Sequence, residues 1–541
     1  MSLADGVIAA GLKLGGKPGK ALETAYDALR AAATDAYPVD GISNPAALDT
    51  IIATGLTPTV QTDYARWQPL HWAVELPEVM ERGGFDAIIG NPPFLGWQKL
   101  TSAVGSNVRD WFVNALANGE RGNADLVAYF LVRAFSLLNH RGALGLIATN
   151  TVAQGHTRKV GLERMVREGF SITRAIQSAK WPARSANLEY AAVWGSRSKV
   201  PDAIPRWANG QCVPSISPLL DGVGRVSGQP SKLIENTGTA FVGCAVKGSG
   251  FIITPQEAAA WIAQDDRNRD VLFPYLNGED LNSRPDQSAP RWIVDFNERD
   301  QATAEVFAQP WTHVVRTLKS EREARSVEAY PRLVKEWWKF WRTSPYLRAA
   351  IADLDEVLAI ALVSRTVMPM RVATRQVFSH ALGIFASGSF ALQATLSSTL
   401  HQLWAIKYGS GLRNDPRYTP SEVFETFPRP EESPALAAIG RELDETRREI
   451  MLRRDLGLTK LYNLINDPDV THDPDVETMR DIHVRLDQTV MHAYGWSEVP
   501  LNHGFHTYRQ MQRWTVSPPA REDLLDRLLE ENLNRAARHA D

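Results

Sequence analysis

Only two cysteines, Cys212 and Cys244, occur among 541 residues. So few thiols leave no disulfide framework and no Cys-based metal spacing, and they fit a reducing cytoplasm. His380 and His401 stand apart from other ligand types, so no metal site is expected. Long hydrophobic runs are also missing. The longest strictly apolar stretch near the middle, Val357–Val363, is far too short to cross a bilayer. The first residues carry no signal-peptide pattern, so no membrane partner is expected. Charge of one sign is lacking too: 59 Lys and Arg against 62 Asp and Glu give a net −3. No global basic field exists, and any nucleic-acid contact has to come from a local patch. Internal repeats, low-complexity tracts and a nuclease-type carboxylate–lysine constellation are absent.

What remains is ordinary globular material, 44% hydrophobic and 22% charged, long enough for about three domains. The first fifty residues look helical, with an amphipathic pattern over Ala21–Ala33. Gly11–Lys17 begins like a phosphate loop, but Pro18 stands where Ser or Thr is needed and no strand precedes it, so it reads as a loop. Further on, periodicity predicts a helix over Asp125–Asn139, its inner face made by Leu126, Tyr129, Phe130, Ala134 and Leu137. A buried strand over Ala143–Ala148 follows and ends at Thr149-Asn150-Thr151. A helix over Val160–Glu168 and strands over Ile172–Ile176 and Leu188–Trp194 complete a β-α-β-α-β-β order, which predicts a parallel-type sheet. From about residue 200, Pro- and Gly-rich segments separate short strands such as Arg291–Phe296 and Gln376–His380. After Phe427-Pro428-Arg429-Pro430, helices are expected over Pro434–Gly457, Val476–Tyr494 and Pro519–Ala540. The expected divisions are 1–60 helical, 61–200 α/β, 201–432 α+β and 433–541 helical.

The most informative residues are Asn91-Pro92-Pro93-Phe94, directly after the apolar run Phe85–Gly90. Gly83-Gly84 reads as a loop feeding a buried parallel strand, with the tetrad at its carboxyl end, where open α/β sheets bind ligands. Two prolines fix two φ angles and hold the preceding carbonyls in one direction. An Asn side chain before them and a Phe ring after them make a rigid cradle for a planar group bearing an amine.

This tetrad resembles the Asn/Asp/Ser-Pro-Pro-aromatic motif of the amino-group DNA methyltransferases. Residues 61 to about 520 are similar to the carboxyl-terminal half of the large adenine-N6 DNA methyltransferases of restriction and phage-defence systems. The likeness rests on Gly83–Phe94, Gly142–Asn150, Trp181-Pro182 and Arg417–Pro420 leading to Phe424–Pro428. It implies a partial Rossmann-like class I methyltransferase sheet, an α+β target-recognition domain and a helical C-terminal region. It further implies S-adenosylmethionine as methyl donor and double-stranded DNA as partner, with the target base flipped out of the duplex. Asn91 and the Pro92 carbonyl would accept hydrogen bonds from the adenine amine, favouring a more tetrahedral nitrogen as it takes the methyl. Phe94 would stack on the base, and Asn91 would also border the donor. Trp181 reads either as a second stacking ring or as a core aromatic beside a turn.

The family's Gly-rich donor signature, expected well upstream of the tetrad, is not found before Asn91. The expectation is therefore a truncated chain or one half of a split enzyme, with a separate chain supplying the donor-binding half. A catalytically silent DNA-recognition or assembly subunit is the alternative, and a methyltransferase acting on RNA or on a protein amide is a third. For DNA contact, nine Lys or Arg stand against four Glu between Arg316 and Arg348. Lys335, Trp338, Lys339 and Arg342 mix cations with aromatics, as phosphate neutralisation and stacking require. An amphipathic helix with core tryptophans reads equally well. Arg413, Arg417 and Tyr418 form a second candidate patch.

Overall fold

The computed structural model describes residues 1–538, except 121, 182–188, 223, 225, 227, 329, 413–414 and 509–510. They form two compact units, Met1–Val223 and Gly224–Asp541. In the first, helices α1 (Ser2–Leu12), α2 (Lys20–Ala36) and α3 (Ala46–Leu56) close a small core around Ala9, Leu12, Leu29, Leu48 and Leu56. The approach of α1 to α3 demands glycine: a Cβ on Gly55 would lie 2.2 Å from the Ala9 carbonyl oxygen. Gly15 and Gly16 sit in the turn after α1, with positive φ. No strand precedes them, in keeping with the loop reading.

The rest of this unit is a six-stranded sheet of β1 (Phe85–Gly90), β2 (Leu138–Ala148), β3 (Ser171–Lys180), β4 (Glu189–Ser196), β5 (Arg206–Ala208) and β6 (Gln211–Val213). The spatial order is β1-β2-β4-β3-β5-β6. Helix α4 (Leu126–Leu137) brings Val127, Leu131 and Phe135 against one sheet face, where they meet Leu144, Leu146, Ile172 and Val193.

Three expectations need correction here. The sheet is mixed: β1/β2 and β3/β5 are parallel, whereas β2/β4, β3/β4 and β5/β6 are antiparallel. Between Lys180 and Glu189 there is too little chain for a parallel crossover, which takes a dozen or more residues. Second, β1 is not a buried strand. It lies at the sheet edge, pairs only with β2 among the described residues, and leaves Ile89 84% exposed. An apolar run by itself does not separate an edge strand from a central one. Third, Phe130 is exposed on α4; of the expected inner face Leu126 and Tyr129 are buried, and Val127, Ala128, Leu131, Val132 and Phe135 are buried with them.

The second unit holds two four-stranded sheets. Strands β7 (Ala240–Val242), β8 (Ile252–Ile253), β9 (Leu272–Leu276), β10 (Arg291–Val294), β11 (Glu356–Ala361), β12 (Met370–Ala373), β13 (Val377–Phe378) and β14 (Leu382–Phe385) are ordered β13-β9-β10-β8 and β12-β11-β14-β7. The unit also contains α5 (Phe390–Ser397), α6 (Thr399–Tyr408), α7 (Pro434–Arg453), α8 (Pro474–Tyr494) and α9 (Pro518–Arg538). Every residue of α5 except Phe390 is buried, and its Gln393 amide donates to Asp444 of α7 at 2.6 Å. No helix among the described residues is long and apolar enough to cross a membrane.

Two histidines are sealed in this unit. His401 lies between the Leu396 carbonyl (2.7 Å) and the Tyr418 hydroxyl (3.0 Å), and His483 meets the Tyr462 hydroxyl at 2.9 Å. Burial holds both imidazoles neutral, with pKa values down to about 4. The stability carried by that neutrality is complete above about pH 6.5 and is lost as pH falls towards 4, because the unfolded chain takes up protons first. Urea unfolding of the full chain should therefore lose on the order of 3 kcal/mol per histidine across that window. His401→Gln should flatten the slope, and a pH-independent midpoint would contradict the assignment.

Candidate active site

The parallel pairing of β1 and β2 sets Ile88 opposite Leu144 and Gly90 opposite Leu146. The chain segments that follow both strands therefore leave from one end of the sheet. At that end Asn91, Pro93 and Phe94 are exposed while Pro92 is buried, so one proline anchors the corner and the other residues face outward. The Leu95 N–H donates to the Pro93 carbonyl at 3.1 Å. Among the described residues, nothing donates to the Pro92 carbonyl, and the Asn91 side-chain amide has no hydrogen-bond partner. Two acceptors and a flat ring thus stand unclaimed on a stiff corner.

Asp125 holds that corner in place. One carboxylate oxygen accepts the Trp97 N–H at 2.9 Å, and the other accepts the Thr151 hydroxyl at 2.7 Å. The neighbouring Leu126 N–H reaches the Leu95 carbonyl at 3.0 Å, and the Asp125 N–H donates to Thr157 Oγ1 at 3.1 Å. The segment after the tetrad is thereby tied to the start of α4 and to the end of β2. A second polar group sits at the same end: Glu189 accepts from Ser178 at 2.7 Å and from Asn150 at 3.4 Å. These residues were not singled out from the sequence as a site. An Asp at the residue before a helix and a Thr-Asn-Thr triplet closing a buried strand were the available signals.

Trp181 follows β3 and meets Tyr190 edge-on, with centroids 5.5 Å apart. It lies at the tetrad's end of the sheet, but β3 is three strand spacings from β1, about 14 Å. Its neighbour Pro182 lies outside the described residues.

For S-adenosylmethionine the residues present are incomplete. A donor pocket of the implied kind needs a strand and glycine-rich turn before the tetrad strand, yet no strand precedes Phe85 among the described residues. Gly15-Gly16 follows a helix, and Gly83-Gly84 enters β1 rather than leaving a strand. The described residues do not fit a complete donor pocket. Among them no His, Cys, Asp and Glu cluster could hold a metal ion.

The DNA-contact candidates separate by burial. Lys335, Arg342 and Arg417 are exposed. Trp338 is a core residue whose indole N–H donates to the Arg299 carbonyl at 3.1 Å, and Lys339 is buried against Glu336 at 2.6 Å. Tyr418 is buried on His401. These three side chains serve packing, because each polar end already has a partner inside the fold. Arg413 lies outside the described residues. The local positive charge is also partly structural: Arg322 is fully buried and donates to the carbonyls of Val246, Lys247, Trp337 and Lys339. Burial lowers its pKa to about 10.

Comparison with known proteins places both regions. Residues 36–177, which contain the tetrad, match the Eco57I restriction-modification methylase family. Residues 228–431, which contain all seven DNA-contact candidates, match the MmeI target recognition domain. DNA methyltransferase A of Bacillus subtilis (strain 168) is 24% identical over 435 residues, 78% of this chain and 47% of that protein. The type IIL restriction-modification enzyme MmeI, solved in complex with DNA, shares the fold with a TM-score of 0.64 at 18% identity, over 86% of this chain and 59% of that one. The chain spans about half the length of the curated relative it matches.

Arg322→Ala should destabilise the protein by about 3 kcal/mol, since four buried carbonyls lose their donor. Urea unfolding checks this. A loss of DNA affinity with unchanged stability would make Arg322 a contact residue instead.

Proposed function

We infer that this chain, a relative of the type IIG-like restriction-modification methyltransferases, is the catalytic and target-recognition portion of a site-specific DNA adenine-N6 methyltransferase of a restriction-modification or phage-defence system. The observation that carries the reading is the unclaimed acceptor pair, the Asn91 amide oxygen and the Pro92 carbonyl, beside the exposed Phe94 ring. An adenine amine is a poor nucleophile because its lone pair is delocalised into the ring. Two fixed acceptors on its hydrogens oppose that delocalisation, and their rigidity means no reorganisation is needed during reaction. Phe94 covers the base once it has left the stack. Asn91 also borders the place a donor would take. Trp181, at the same end of the sheet, is the candidate for a second ring on the base.

The division proposed is 61–200 for catalysis and 201–432 for reading the site, flanked by helical segments 1–60 and 433–541. Lys335, Arg342 and Arg417 contact phosphates, and double-stranded DNA is the substrate. S-adenosylmethionine is the donor the reading requires, with its pocket completed by a separate donor-binding segment. The second reading is a catalytically silent DNA-recognition or assembly subunit.

Two experiments test the proposal. First, tritiated methyl transfer to DNA should appear when the chain is combined with the polypeptide encoded directly upstream of its gene. Asn91→Ala should then cut transfer by on the order of a hundredfold or more while DNA affinity stays within about twofold. Normal transfer by Asn91→Ala would refute the chemistry; no transfer from a combination that binds both DNA and S-adenosylmethionine would favour the silent subunit. Second, replacing Lys335, Arg342 and Arg417 by Ala should flatten the salt dependence of duplex binding by about one log unit per lost phosphate contact. An unchanged slope would remove them from the interface.

A further inference from the structure

Of the sixteen tryptophans, two are exposed, Trp97 and Trp207. The others are buried or half-buried, as the burial preference of so large a ring predicts. Trp207 lies on β5, four places from β1 in the sheet order. Trp97 follows Phe94 by three residues, and its side chain is left 43% exposed. Among the described residues no aromatic ring packs on this indole and nothing accepts a hydrogen bond from its N–H. The backbone beneath it is fixed. The Trp97 N–H donates to Asp125 at 2.9 Å, the Leu126 N–H to the Leu95 carbonyl at 3.0 Å, and the Leu95 N–H to the Pro93 carbonyl at 3.1 Å. Leu100, one turn further into the short helix Trp97–Val104, is buried with Val113, Leu126 and Tyr129. The indole is thus carried on a stiff mount beside the tetrad, with no loop to order when a partner arrives.

Charge narrows the partner. From Asn91 to Arg109 there is no Asp or Glu, while Lys99 and Arg109 are both exposed. Lys99 stands two residues beyond Trp97, and its ammonium has no ion pair among the described residues. A flat ring beside an unpaired cation, in a segment free of carboxylates, suits a polyanion built of stacked bases. A basic protein surface would meet like charge here.

Resting on the methyltransferase reading above, we propose that Trp97 enters the duplex where the target adenine leaves it and stacks on the bases that remain. Extrusion breaks the pairing of the adenine and its stacking on both neighbours. An inserted ring restores part of that stacking, which lowers the cost of presenting the amine to Asn91. The reach agrees with this role. Three residues separate Phe94 from Trp97 by at most about 11 Å, and an extruded base stays joined through its sugar to the strand it left. The vacated gap therefore lies one nucleotide's span from the ring that covers the base. Trp97 touches no reacting atom in this arrangement; it acts on the DNA, and Lys99 meets the adjoining phosphate.

The test uses the full chain. A duplex that the chain selects from a random pool supplies the site, and 2-aminopurine in place of each adenine in turn reports extrusion by a rise in fluorescence. The wild type should give a several-fold rise at one position. Trp97→Ala should remove most of that rise and weaken binding about tenfold. The salt dependence of its binding should match the wild type, because no phosphate contact is lost. Trp97→Phe, which keeps a ring, should recover most of the rise. In the wild-type complex, 5-iodouracil opposite the target adenine should crosslink to Trp97 under ultraviolet light, as read by mass spectrometry of the peptides. Should Trp97→Ala fail to fold, the crosslink decides alone. Unchanged extrusion and affinity in Trp97→Ala, or a crosslink that falls elsewhere, would overturn the proposal and leave the methyltransferase reading standing. No rise at any adenine with the wild type would overturn both.

Discussion

Because β1 runs parallel to β2, both strands deliver the segments that follow them to one end of the sheet, and the antiparallel β4 starts there as well. That single geometric fact gathers Asn91–Phe94, Thr149–Thr151 and Glu189 on one rim. Asp125 then converts proximity into rigidity by accepting from Trp97 and Thr151 at once. A carboxylate that joins two loops costs little in entropy once α4 is packed, since Val127 and Leu131 already fix the start of that helix on the sheet. The diproline corner is thus stiff from within, through fixed φ angles, and from without, through Asp125.

Much of this rim was legible in the sequence. The tetrad, the helix after Asp125 and the strand into Thr149 all emerged from local signals: proline pairs, helical periodicity and a continuous apolar run. What was not legible is pairing. The run Phe85–Gly90 reads the same whether its second edge is occupied or bare, and the outward placement of Ile89 depends on what lies beyond β1. The antiparallel β3–β4 pair was within reach, since the short connection from Lys180 to Glu189 excludes a crossover. Phe130 was assigned to the wrong face because its neighbours on α4 are apolar almost all round, which blurs the stripe.

The basic, tryptophan-rich segment teaches a related lesson. Charge density between Arg316 and Arg348 left a nucleic-acid surface and an amphipathic helix with core tryptophans equally open, and the side chains divide by what they touch. Arg322 organises four carbonyls inside the fold and buried Lys339 pairs with Glu336, while Lys335 and Arg342 remain at the surface. Trp337 and Trp338 pack with Trp311, 5.0 and 6.3 Å between ring centroids. A cation beside an aromatic in sequence is thus as compatible with a core as with a nucleic-acid surface, and only burial distinguishes them.

The central claim is that Asn91 and the Pro92 carbonyl hold an exocyclic amine presented by a flipped base. A crystal structure of the assembled protein on its duplex tests it most directly. The account predicts an adenine outside the stack, its amine about 3 Å from both acceptors and its ring against Phe94. An adenine stacked in the duplex, or a flipped base whose amine lies out of reach of Asn91, would contradict it.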